Sequence, residues 1–410
     1  MYSKIEKCRI CGNLHLVEVL DLGVQVLTGV FPAQVIEKIT QGPLTLVKCV
    51  GGDDSCGLLQ LAYSYNLGEM YGDNYGYRSG LNQSMVRHLH GKVRKILEIV
   101  DFTGQPIVLD IGSNDGTTLG AYPDNACTRV GMDPTAAKFH AYYPKGVTAI
   151  ADFFSAALFQ NAFPGKRARV VTSFSMFYDL DRPIDFMREV ASILEDNGLW
   201  VFEQSYMPLM LERNSYDTVC HEHLEYYAIK QIKWMTDRVG FKIVDVEFND
   251  INGGSFSVTV SKQAARYPEY PGLQALLDRE AKLGLDALAP YQSFAARTAA
   301  SRDALRGFIE KALADGKRLA GLGASTKGNV MLQYCGLGKR ELFAIGEVNP
   351  YKFGRHTPGT LIPIVPESEL LADEPDYFIV LPWHFRPFFL EKYRLRKAKL
   401  VFPLPSLEII

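Results

Sequence analysis

The chain has 410 residues, enough for two or three domains that each bury a core of their own. Its 44 lysines and arginines nearly balance 46 aspartates and glutamates, giving a formal charge of −2. With no basic stripe, and no apolar run near the roughly 20 residues of a membrane span, neither nucleic acid nor membrane is an expected partner.

The opening stretch, MYSKIEKCRICG, lacks the apolar segment of a secretion signal, so a cytoplasmic location is expected. Four of the seven cysteines gather early, Cys8 and Cys11 as a CxxC and Cys49 and Cys56 in CVGGDDSC. In a reducing compartment such a quartet points to zinc before disulfides, because four thiolates close a tetrahedral structural site. Glycine follows the second cysteine of each pair, which lets the chain turn so that amides face the sulfurs. The second pair is spaced more widely than a CxxC, and ordinary thiols remain the alternative. Residues 1–70 read as a zinc-binding domain of short strands and turns that depends on its metal to fold.

MYGDNYGYRSGLNQSM, at 70–85, is dense in Tyr, Gly and Asn, as expected of a ligand-facing loop or equally of a surface turn. From SMVRHLHGKVRKILEIV the apolar spacing is helical. Strands and helices then alternate to about residue 262, which predicts a parallel, doubly wound α/β sheet in a domain over 71–265. The segment PIVLDIGSNDGTTL reads as strand, tight turn and helix start, with Gly112 and Gly116 bracketing the turn. Asn114 stands where a third glycine would be, and asparagine tolerates left-handed backbone best after glycine. Asp110 and Asp115 place negative charge around the loop. That repels a pyrophosphate but suits a cation such as S-adenosylmethionine, with its ammonium and sulfonium. The next strand ends in Asp133, where a carboxylate is placed to hold ribose hydroxyls. Asp152 and Phe153, in ADFF, are candidates to accept from an adenine amine and to stack on its ring; core packing is the other reading of Phe153. Together these features predict a class I methyltransferase, with a nicotinamide-dependent dehydrogenase as the runner-up.

VTSFSMFYDLDRP supplies the fourth strand and its loop, so Tyr178 and Asp179 are expected to face the transferred methyl. Beyond the fifth strand lies TVCHEHLEYY. The HExxH pattern of zinc proteases is absent, because His221 and His223 are two residues apart. Three readings compete: a strand-borne metal site, two packed polar histidines, or a histidine base oriented by Glu222 or a tyrosine. Residues 266–410 read as a long helical connection followed by a second Rossmann-like unit. There LAGLGASTKGN turns into a helix start, so Ser325 and Lys327 are candidates to hold an anion. Trp383, in LPWHF, is a candidate to stack on a ligand or to pack in the core.

With these segments in order, the chain resembles the C-methyltransferases of nucleotide-linked 4-keto-6-deoxyhexoses. The likeness rests on DLGVQVLTGVFP, YGYRS, DIGSNDG, MFYDL, HEHLEYY, NGGSFSV, GLGASTKGN and VNPYKFGRHTPGTLIPI. It implies S-adenosylmethionine as cofactor, a structural zinc on the four cysteines, and a nucleotide-linked keto-deoxysugar as partner, with C-3 the carbon methylated in a monomer or homodimer. It further implies that His223 is the base, supported by Glu222. Tyr75 and Tyr77 would line the sugar pocket, with Tyr178, Cys220, His221 and Asn252 on the substrate side. One departure stands out: some members carry tyrosine where this chain has Cys220. Methylation of a sugar hydroxyl, and sugar-nucleotide binding without turnover, are the competing functions.

Overall fold

The N-terminal segment is built on three antiparallel strands, Leu16–Val26, Gln41–Cys49 and Leu59–Leu61. The computed structural model describes residues 2–35, 38–52, 54–71 and 77–410, so the expectation for Tyr75 lies outside the described residues. A fourth strand in this sheet arrives from far along the sequence. Glu225–Tyr226 pairs antiparallel with Leu59–Leu61, Glu225 opposite Gln60 and Tyr226 opposite Leu59. The HEHLEYY segment is therefore stitched to the cysteine-bearing sheet by backbone hydrogen bonds.

The central sheet has seven strands, in the order Phe241–Asn249, Ser255–Lys262, Leu194–Ser205, Ala168–Phe174, Ile107–Ile111, Thr128–Met132, Val147–Ile150. Its inner strands are apolar and buried over nearly every residue, as parallel strands covered on both faces must be. The alternating pattern predicts parallel strands throughout, but Ser255–Lys262 runs against both its neighbours. Only residues 250–254 separate it from Phe241–Asn249, too few for a crossover, so the chain has to return antiparallel. Gly253 and Gly254, at φ 92° and 128°, make that reversal. The strand order reverses between Ile107–Ile111 and Ala168–Phe174, which opens the crevice where ligands bind in such sheets.

The helix Gln83–Ile99 starts at Asn82, whose side chain accepts from the Ser84 amide at 2.9 Å. It buries Met85, Leu89, Val93 and Ile96, one face at helical spacing. Helices Leu273–Lys282 and Ala289–Ala314 form the expected helical connection. The C-terminal sheet follows with six strands, five of them parallel and the last, Glu408–Ile409, antiparallel. The segment Val26–Pro32 lies against this last unit. Val26 and Gln333 exchange two hydrogen bonds at 2.8 and 3.0 Å, Asn329 donates to the Thr28 carbonyl at 2.8 Å, and Arg355 donates to that of Phe31 at 2.9 Å. Among the described residues, no helix is long and apolar enough to cross a membrane.

Candidate active site

The glycine loop has the backbone its composition requires. Gly112, Asn114 and Gly116 take φ of 72°, 51° and 77°, so asparagine does occupy a left-handed position. Asp133 organises the loop: its Oδ2 accepts from the Asn114 amide at 2.9 Å, and its Oδ1 accepts from the Thr135 amide at 2.6 Å. Asp110 is buried beneath and accepts from the Thr172 hydroxyl at 2.5 Å. Burial lifts its pKa to about 7, against the pull of that hydrogen bond. Above the loop opens a cleft lined among others by Asp110, Gly112, Asn114, Asp133 and Phe153. These expected cofactor residues come together, and Tyr77, expected instead in the sugar pocket, lines the same cleft. Two others lie outside the lining. The Asp115 carboxylate turns to the Gly80 amide (2.9 Å) and Arg78 (3.3 Å), and exposed Asp152 accepts from the Phe153 amide at 2.7 Å.

Tyr71, Met176 and Asp179 also line the cleft. Asp179 belongs to the short turn Phe177–Asp179 that follows the strand Ala168–Phe174. Next to it, the Tyr178 ring meets the His223 ring edge-on at 4.4 Å. His223 Nδ1 lies 2.8 Å from the Thr218 carbonyl, so Nδ1 carries the hydrogen and Nε2 is left as an acceptor. A backbone carbonyl thus does the orienting expected of Glu222. Burial first, and the nearby Lys327 ammonium second, lower the His223 pKa to about 3. The imidazole is neutral at physiological pH.

HEH is a turn ahead of the two-residue strand, and its two histidines part company. His221 is fully buried with its ring edge-on to Tyr65 at 4.6 Å, and burial lowers its pKa to about 4. Glu222 lies under the chain at Gly29, where a Cβ would meet its Oε1, and burial raises its pKa. Cys220 is fully buried beside Glu222 and Asp179, and burial holds its thiol well above the usual range.

The C-terminal unit closes the site from the other side. Lys327 Nζ donates to the Asn252 carbonyl at 2.7 Å, with Asn252 itself at φ 55°. Ser325 caps the helix Thr326–Tyr334 by accepting from the Gly328 amide at 3.0 Å. Trp383 is buried, and its Nε1 donates to Asp217 Oδ2 at 2.8 Å. Asp217 and Thr218, which tie Trp383 and His223 to one stretch of backbone, were not singled out in the sequence. Nor was His384, neutral by burial and by Lys327 at a pKa of about 3. Its place beside Trp383 in LPWHF was the available signal.

The four cysteines also come together. Their sulfurs all lie within 4.8 Å of one another, with Cys8–Cys56 at 3.4 Å and Cys11–Cys49 at 3.5 Å. A tetrahedral zinc with sulfurs at about 2.3 Å sets their separations near ~3.8 Å, so this donor set fits that ion. Asn13 Nδ2 stands 3.4 Å from the Cys49 sulfur, a donor to a thiolate.

Residues 8–71 match a family model for a zinc-binding domain, residues 85–246 one for a methyltransferase domain, and residues 250–405 one for a C-methyltransferase C-terminal domain. The C-methyltransferase NovU of Streptomyces niveus is 28% identical over 412 residues, covering 99% of this chain and 97% of that protein. Solved structures that align include the CcbJ methyltransferase from Streptomyces caelestis (14% identity, 42% of this chain and 89% of that one, TM-score 0.34). An O-methyltransferase family protein from Burkholderia thailandensis also aligns (18% identity, 45% and 59%, TM-score 0.33). The methyltransferase match sets aside the dehydrogenase reading of the glycine loop. Three domain matches in succession give this chain a zinc-binding domain, a methyltransferase domain that implies S-adenosylmethionine, and a C-methyltransferase C-terminal domain, and it is similar end to end to a C-methyltransferase.

Proposed function

We propose that the substrate is a nucleotide-linked 4-keto-6-deoxy sugar, methylated at C-3, the carbon beside the ketone, with His223 as the base. The observation that carries this reading is the bond from His223 Nδ1 to the Thr218 carbonyl at 2.8 Å, which leaves Nε2 of a half-buried, neutral ring as a proton acceptor. The ring rests on Tyr178, whose neighbour Asp179 lines the cofactor cleft, so one step along the chain links the support of the histidine to the wall of that cleft.

A ketone α-proton does not leave unaided at neutral pH, so the site must supply both a base and a stabilised enolate oxygen. S-adenosylmethionine, when bound, supplies an electrophilic methyl on a sulfonium. The chain's own residues do the rest. His223 Nε2 takes the proton, Asp133 and the loop at 112–116 fix the cofactor end, and the packed walls exclude water. Lys327, with the Ser325-capped helix beside it, offers a positive charge suited to the nucleotide's pyrophosphate. Mass spectrometry of products from a panel of nucleotide-linked keto sugars tests the reading. A methyl on the carbon beside the ketone supports it, and a methyl on a hydroxyl oxygen overturns it.

A further inference from the structure

Asp179 is a buried carboxylate on the boundary between the cofactor cleft and the HEH turn. Its Oδ2 accepts from the Tyr71 hydroxyl at 2.7 Å, while Oδ1, equally buried, has no hydrogen-bond partner among the described residues. It lines the cofactor cleft together with Tyr71, Met176 and Leu180. On its other side the chain carries His223: the Tyr178 carbonyl accepts from the Leu224 amide at 2.8 Å, and the Tyr178 ring supports the imidazole. Glu222, whose Oε2 likewise has no partner among the described residues, lies near enough for its charge to act on Asp179. The neighbouring Cys220 thiol is a weak donor, poorly suited to hold a developing negative charge.

We propose that Asp179 is a further catalytic residue, which in its neutral carboxylic form donates a hydrogen bond from Oδ1 to the enolate oxygen of the substrate while Tyr71 braces its other oxygen. This rests on the C-methylation of a keto sugar set out above. Burial, reinforced by the Glu222 charge, holds Asp179 well above the usual carboxylate range, in agreement with the neutral form. As the C–H bond breaks, its proton goes to His223 Nε2 and its electron pair runs through to the carbonyl oxygen, where the Asp179 O–H meets it without giving up its proton. The pair then returns to form the C–C bond as the methyl–sulfur bond breaks. The ketone is restored, a neutral thioether leaves, and the His223 proton passes to solvent.

The test compares Asp179→Asn with Asp179→Ala in the full, zinc-loaded chain. The probe is the C-3-deuterated nucleotide-linked 4-keto-6-deoxyhexose that the parent methylates fastest. An amide keeps a donor without a charge, so the Asn variant should stay within about tenfold of the parent in kcat. The Ala variant should fall by about 10²–10³-fold, the usual loss for one oxyanion donor, with deuterium wash-out falling in parallel. Calorimetry should find S-adenosylhomocysteine affinity within about twofold of the parent in both. The proposal is overturned if the Ala variant exchanges deuterium at the parental rate, if the Asn variant is as slow as Ala, or if the Asn variant loses cofactor affinity. A parent that neither exchanges nor methylates any sugar of the panel overturns the functional reading itself, and this inference with it.

Discussion

Held at Nδ1 by a backbone carbonyl, His223 has its tautomer fixed by the fold rather than by another titrating group. Replacing it with alanine should leave cofactor affinity intact and lower turnover by roughly 10²–10⁴-fold, the span usual for loss of a general base. Because its pKa is depressed to about 3, kcat/KM should show no acid-side inflection near the ordinary histidine value of 6.5. A stopped-assay pH profile between 5 and 8 checks this. His221 has a different consequence. Its folded pKa, about 4, lies below that of the unfolded chain, so it stabilises fully above about 6.5 and progressively less as pH falls. Between pH 6.5 and 5 the parent should therefore lose about 1–2 kcal/mol relative to His221→Gln in chemical denaturation. At Asp133, alanine should weaken S-adenosylmethionine binding by roughly 1–3 kcal/mol in calorimetry, since the loop as well as the ligand loses its acceptor. The HEH stretch stood out in the sequence as a candidate for chemistry. Its orienting group did not, because a main-chain carbonyl leaves no mark on residue type.

The helix Gln83–Ile99 acts as a wall of the cofactor cleft, to which it contributes Met85 and Leu89. It hangs from one buried acid: Glu203 accepts from His88 at 2.6 Å, from Asn249 at 2.8 Å, and pairs with Lys92 at 3.2 Å. Burial opposes ionisation of Glu203, but the His88 hydrogen bond and the Lys92 charge outweigh it and keep its pKa low. Glu203→Ala removes one partner of a buried pair and should cost about 3–5 kcal/mol of stability. Titration with S-adenosylhomocysteine should at the same time show weaker binding as the wall loosens. Elements of this kind were read well from periodicity, which reports the buried face of one helix or strand. Periodicity says nothing of partners, so the antiparallel return of Ser255–Lys262 and the pairing of Glu225–Tyr226 with Leu59–Leu61 appeared only in the fold.

Across the whole molecule, the zinc-binding segment is joined to the catalytic side rather than set apart from it. Gln231 donates to the Cys56 carbonyl at 2.9 Å, and the strand after HEH completes the same sheet. Cys11→Ser, or metal stripped by a chelator, should therefore lower the melting temperature first and carry activity down with it. Metal analysis should return one zinc per parent chain, with less in the variant. Three domains in series were legible from cysteine spacing, the glycine loop and the alternation of strands and helices. Their interlocking was not, because it rests on contacts hundreds of residues apart, such as Val26 with Gln333.

That interlocking bears on how such a chain can be dissected or recombined. Glu225 is 2% exposed, and its nearest cation is Arg9, 3.9 Å away on the zinc-bearing side. Burial holds the Glu225 pKa well above the carboxylate range against the pull of Arg9, and a fragment cut to the central sheet alone would lose that arginine and bare the unpaired edge of Glu225–Tyr226, an invitation to self-association. Grafting a foreign first domain would meet the same difficulty unless it brought its own arginine and a matching strand. Inheritance of the first seventy residues together with the catalytic segment is thus a condition of solubility as much as of catalysis.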